Sequence, residues 1–182
     1  MKSTIRGAVV GLAVLLSAQT AYAQVMSFGV GGGVVVPTGT LADGVGTGVS
    51  GTALLRVQPA GSPLGFQVDA FYTHFGLDGI DGHSRMIGAT GNAVYAFSGA
   101  SMARPYLIGG VGFYNGKTSI DGFGSSDSQS KFGINAGAGF DFGLGKAKLF
   151  AEGRFHAIMK GTADANGEKT AYLIPLTVGL RF

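Results

Sequence analysis

The last twelve residues, Ala171 to Phe182, alternate between two chemically distinct sets. Tyr172, Ile174, Leu176, Val178, Leu180 and Phe182 are apolar or aromatic, whereas Ala171, Leu173, Pro175, Thr177, Gly179 and Arg181 are mixed. Successive side chains of a strand point to opposite faces, so this segment carries one unbroken greasy face over the length of a bilayer-spanning strand. A water-facing surface would carry charges at those positions, which weighs against an exported soluble β-sandwich. The pattern is that of a wall segment of a transmembrane β-barrel.

The other end of the chain predicts export. Lys2 and Arg6 precede an apolar run from Ala8 to Leu16, and Ala21-Tyr22-Ala23 follows. That order is a charged region, an apolar core too short to span a bilayer and a small-x-small cleavage site, so residues 1–23 are expected to be a signal peptide. Residues 24–182 then form one barrel domain. Removing the leader takes two of thirteen basic residues, leaving 11 − 10 = +1 against ten acids. Such a balance gives no reason to expect nucleic acid as a partner. The absence of cysteine excludes disulfides, thiol catalysis and cysteine metal sites. Rigidity must come from elsewhere, and a closed hydrogen-bond ladder supplies it.

Period-two patterning runs through nearly the whole chain. Strands are expected at roughly 26–36, 47–58, 65–75, 85–97, 104–115, 131–142, 147–158 and 171–182. The connections alternate: Pro37–Gly46, Gly76–Ser84, Gly116–Ser130 and Met159–Thr170 are long, while Pro59–Leu64, Ser98–Ala103 and Gly143–Lys146 are short. Outer-membrane barrels place long loops outside and short turns in the periplasm, so both termini are expected on the periplasmic side.

Facing follows from parity. Phe132, Ile134, Ala136, Ala138, Phe140 and Phe142 share the outer face of one strand, and Leu149, Ala151, Gly153, Phe155 and Ala157 that of the next. A slip of one residue would put Glu152 and Arg154 into lipid, where a midplane basic side chain costs about 2 to 4 kcal/mol. Two aromatic girdles are expected, Phe66, Phe97, Phe142 and Phe182 at one interface and Tyr72, Phe113, Phe132 and Tyr172 at the other. Pro175 removes a ladder hydrogen bond, which calls for a bulge or a place near the rim.

Arg104-Pro105-Tyr106-Leu107-Ile108-Gly109-Gly110-Val111-Gly112, Ala151-Glu152-Gly153-Arg154-Phe155 and the closing Val178-Gly179-Leu180-Arg181-Phe182 fit this frame. With the leader and eight alternating segments, the chain resembles the small OmpA/OmpX-type outer-membrane β-barrel proteins over residues 24–182. The resemblance implies an all-β, eight-stranded antiparallel up-and-down barrel in the bacterial outer membrane. It also implies that Leu176, Val178, Leu180 and Phe182 form the signal read by the barrel assembly machinery. Phe182 is equally suited to anchoring the strand at the interface.

An eight-stranded barrel is just wide enough for its interior to be filled by side chains. Arg56, Asp69, Arg85, Asp141, Glu152 and Arg154, with Arg181, are therefore expected to face inward and pair as a lumen network. Inward glycines such as Gly110, Gly112, Gly137 and Gly139 cut the other way, because small side chains leave volume for a narrow hydrated channel or a small-ligand cavity. His74, His83 and His156 show no spacing that places two on one face, and no metal or other cofactor is expected. A PagL-type lipid A deacylase would need a serine two residues after its histidine, whereas Ala157 and Ile158 follow His156. The serines of 119–130 have no histidine close in sequence, so no catalytic residue is assigned and the chain is not read as an enzyme. Gly44-Val45-Gly46-Thr47-Gly48 lacks the lysine and helix of a phosphate loop. Lys117, Asp121 and Asp127 mark a hydrated polar loop. The expected role is structural or surface-interactive, carried by the long loops of a monomer, with membrane lipids and an unidentified surface ligand as partners. A small pore or carrier for water, ions or an apolar solute is the competing reading, and a lipid-modifying enzyme a more distant one.

Overall fold

The computed structural model describes residues 24–39, 42, 45–76, 82–98, 102–120, 124–125, 129–159 and 170–182. The expected leader lies outside the described residues, as do Asp121 and Asp127. The strands are β1 (Gln24–Thr38), β2 (Gly48–Pro59), β3 (Leu64–Gly76), β4 (Gly82–Ala96), β5 (Ala103–Ile120), β6 (Gly124–Ser125), β7 (Gln129–Leu144), β8 (Ala147–Ile158) and β9 (Ala171–Arg181). β6 is a two-residue piece that folds back on the end of β5.

The other eight strands each pair antiparallel with both neighbours around a ring. β1 pairs with β9 from Gly29↔Arg181 to Thr38↔Tyr172, which closes the sheet. Closure leaves no edge strand and satisfies the backbone within the protein, as lipid demands. The fold is an eight-stranded antiparallel up-and-down β-barrel.

All eight expected strands are present, and they differ from expectation mainly at their ends. β4 starts at Gly82 and β5 continues to Ile120, so their ladder extends to Gly82↔Ile120. Gly76–Ser84 is accordingly not a long loop, because part of it is strand at either end. Apolar alternation stops where the membrane stops, whereas backbone pairing does not. The described turns at the opposite end, residues 59–64 and 143–146, are tight. Gly61 and Gly145 sit at φ of 76° and 70° there, a left-handed region that favours glycine.

Parity divides the wall cleanly. Val30, Leu55, Val68, Ile87, Leu107, Val111, Ile134 and Val178 are exposed on the outside, an apolar surface suited to lipid. The expected girdle aromatics are all exposed, and Phe113 and Phe132 meet edge-to-face at 5.3 Å. Inside, Val35, Phe75, Tyr114, Ile158 and Leu173 cluster toward the long-loop end. Val94, Ala96, Tyr106 and Ile108 line the wall nearer the short-turn end.

The inward glycines are not spare volume, which corrects the expectation attached to them. A Cβ on Gly139 would collide with Cζ of Tyr106, and one on Gly137 would lie 2.9 Å from Cγ of Arg154. Gly110 and Gly112 are filled by Asn92 and Thr90 in the same way. Small barrels fill their taper by setting large side chains against small ones, and here the glycines accept Tyr106, Arg154 and their neighbours.

Pro175 is accommodated without a bulge. The β8–β9 register is the same on both sides of it, at Gly153↔Leu176 and His156↔Leu173, and the ladder simply lapses between. Pairing with β1 persists at Val35↔Pro175. The barrel therefore gives up a local contact rather than shift its register.

Candidate functional site

The lumen site is written in residue pairs two apart, which a strand places on one face. Gln67 and Asp69 on β3, Thr90 and Asn92 on β4, and Glu152 and Arg154 on β8 all point inward and are buried. Arg56 from β2, Asn135 and Asp141 from β7 and Arg181 from β9 complete the ring.

These groups form one connected network. Arg154 Nη1 donates to Asp69 Oδ2 at 3.0 Å, and its Nε donates to Glu152 Oε1 at 2.5 Å. The other oxygen of Glu152 accepts from the Tyr106 hydroxyl at 2.8 Å. Asp69 accepts further from Gln67 Nε2 at 2.7 Å, Asn92 Nδ2 at 2.7 Å and the Thr90 hydroxyl at 3.1 Å. Gln67 passes the chain to Arg56, whose Nε donates to Gln67 Oε1 at 2.6 Å. Arg56 and Arg181 both donate to Oδ2 of Asp141, Arg56 at 3.5 Å. The Arg56 guanidinium also stacks 4.4 Å above the Tyr106 ring.

Three guanidiniums, Arg56, Arg154 and Arg181, thus face three carboxylates, Asp69, Asp141 and Glu152, and the buried charge cancels. Balance is what makes burial tolerable, because removing one partner of a buried pair leaves an uncompensated ion and costs about 3 to 5 kcal/mol. The network lies across the lumen as a polar plug.

Arg85 is a correction. It is exposed and has the parity of the outward residues Ile87 and Ala89, so it lies outside the lumen. Phe97 shares that parity and is also exposed, so an outward Phe97 and an inward Arg85 are incompatible on one regular strand. The histidines need a second correction. His74 and His83 stack at 5.5 Å, because β3–β4 pairing sets Gly76 opposite His83. His156 is separate and buried, and its Nδ1 is 2.8 Å from the Tyr114 hydroxyl. Among the described residues no three His, Asp or Glu side chains converge as metal ligands.

Sequence reasoning that counted only charges missed Gln67, Thr90, Asn92, Asn135 and Tyr106. Their signal was present, since each has inward parity, and a polar side chain pointing into a narrow barrel must find a partner.

Two cavities flank the network. The one toward the long loops, beside Phe71, Tyr114, Phe150 and His156, has room of about 40 Å³, enough for roughly three waters at ~10–15 Å³ each. The one at the short-turn mouth is about 380 Å³. On the outer face Leu176, Val178, Leu180 and Phe182 form an exposed row. Phe182 is tied to the first strand by reciprocal backbone bonds with Phe28, at 2.7 and 3.0 Å.

The sequence matches the family described as outer membrane protein beta-barrel domain over residues 8–182, and the chain belongs to that family. It is accordingly an outer-membrane protein. No curated protein matches it significantly. Among solved structures it is similar to Neisserial surface protein A, with 19% identity, a TM-score of 0.65, and 87% of this chain and 97% of that one covered. A major outer membrane protein from Thermus thermophilus is 12% identical with a TM-score of 0.64, over 88% of this chain and 99% of that one. The N-terminal β-barrel domain of Pseudomonas aeruginosa OprF is 17% identical with a TM-score of 0.52, over 86% and 97%. At these identities the likeness concerns the fold.

Proposed function

We propose that this protein is a monomeric, non-conducting outer-membrane barrel with a structural or surface-interactive role, presented by its long loops outside the cell. Both termini lie in the periplasm in this reading. The observation that carries it is the charge-balanced network across the lumen, with glycine-facing aromatics filling the space around it. A rigid ring that does not transport is best used as a pedestal, and binding specificity on such scaffolds resides in loops. No residue is assigned a catalytic role. Assembly into the outer-membrane lipids runs through the barrel assembly machinery, which reads Leu176, Val178, Leu180 and Phe182.

The test is planar-bilayer conductance of the refolded protein. The expected wild-type record is silent, while neutralising Arg154 or Glu152 loosens the plug and produces discrete openings. Wild-type channels that change when those residues are replaced would establish the pore reading instead. Orientation is tested by an epitope inserted between Met159 and Thr170, which should be reached by antibody on intact cells.

A further inference from the structure

The cavity at the short-turn mouth has a chemistry that a pedestal does not need. Its volume of about 380 Å³ falls in the range of small-molecule sites, roughly 300 to 1,000 Å³. Arg56, Arg104, Lys148 and Arg181 line it, and among the described residues no carboxylate side chain does. Register brings them together: Lys148 stands opposite Arg181 in the β8–β9 ladder, and Arg104 opposite Asp141 in the β5–β7 ladder.

Two of these cations are incompletely used. Arg56 and Arg181 are 2% and 3% exposed, and both donate to the same oxygen of Asp141. Arg56 Nη2 and Arg181 Nη1 are buried without an acceptor, and Oδ1 of the same Asp141 is buried without a donor. Orphaned buried donors are rare because they are costly, and on a charged group the cost is greatest. The six charges of the network cancel, so the more accessible Arg104 and Lys148 add positive charge that the network does not offset. An acceptor-only ligand with several terminal oxygens seated in this mouth meets the two exposed rim cations directly and lies over the buried positive charge of Arg56 and Arg181. Converging guanidinium forks and an ammonium suit a multiply charged phosphate better than a single carboxylate.

We infer that this vestibule binds a phosphate group, presented either by a soluble phosphorylated molecule or by the headgroup of an anionic phospholipid. The side of the membrane on which it opens rests on the orientation proposed above, whereas the site does not. In neutral maltoside micelles both ends are accessible, so the test is independent of orientation.

The folded protein, verified by heat-modifiable gel migration, is titrated calorimetrically with pyrophosphate and separately with phosphatidylglycerol in mixed micelles. The R104Q/K148Q variant removes the two rim cations and leaves the buried network intact. The R85Q/K117Q variant removes equal charge from the far end of the barrel, where Arg85 stands opposite Lys117. Saturable binding is expected to weaken at least about tenfold in R104Q/K148Q and to be unchanged in R85Q/K117Q. Saturation by pyrophosphate identifies a soluble ligand, and saturation by the lipid alone identifies a headgroup. The inference is overturned if neither probe saturates the wild type, or if the two double variants lose binding equally.

Discussion

Replacing Arg154 by methionine keeps an unbranched side chain that fills the space of the arginine stem and removes the guanidinium with its charge. Arg154 holds two buried carboxylates, Asp69 at 3.0 Å and Glu152 at 2.5 Å. Without it Asp69 still accepts from Gln67, Asn92 and Thr90, but Glu152 keeps only the Tyr106 hydroxyl. Two buried anions then share no cation, and R154M is expected to lower stability by about 3 to 5 kcal/mol. Glu152→Gln in the wild type loses one charge-assisted bond and destabilises by about 1.5 to 3 kcal/mol. In the R154M background the same change removes an uncompensated anion, so its sign reverses and it restores about 1 to 3 kcal/mol. Urea unfolding in micelles, followed by far-ultraviolet circular dichroism, gives the four free energies of the cycle. If Glu152→Gln destabilises equally with and without Arg154, the two residues are not coupled and the argument from buried charge balance fails.

Four further substitutions probe the wall. Gly139→Leu drives a side chain into Tyr106 and should cost at least about 1 to 3 kcal/mol, seen as loss of the heat-modifiable band. Gly91→Ala, where a Cβ meets nothing within 4 Å, should leave that band unchanged. Ala138→Arg, on the outer face between Phe132 and Phe142, should cost about 2 to 4 kcal/mol in a vesicle refolding equilibrium. Phe182→Ala should reduce assembly in cells far more than refolding into vesicles. Equal losses in both would assign Phe182 to anchoring alone.

The barrel was legible because its signals are local. Two-residue alternation fixes which face of each strand meets lipid, and the outward set of β7 in the structure is the set read from the sequence. Strand ends were less legible, since Ser84 and Thr118 pair as neighbours where the apolar pattern has already stopped. The network was half visible. Charged members could be nominated by parity, but which acid meets which base depends on a register and a diameter that only closure sets. Arg154 reaches Asp69 across a separation of 85 positions. The volume left by inward glycines was misjudged for the same reason, as nothing local tells Gly139 that Tyr106 will lie against it.

The pairing of β1 with β9 has a consequence for how the molecule is made. The first strand to leave the ribosome cannot complete its hydrogen bonding until the last has arrived, so the seam joins segments as distant in sequence as Gly29 and Arg181. Such non-local contacts form late and slowly, because their closure entropy comes before any reward. Until then two open edges are exposed together with an apolar wall, the combination most prone to aggregate. A folding partner that engages the final strand would hold one of those edges until the seam closes.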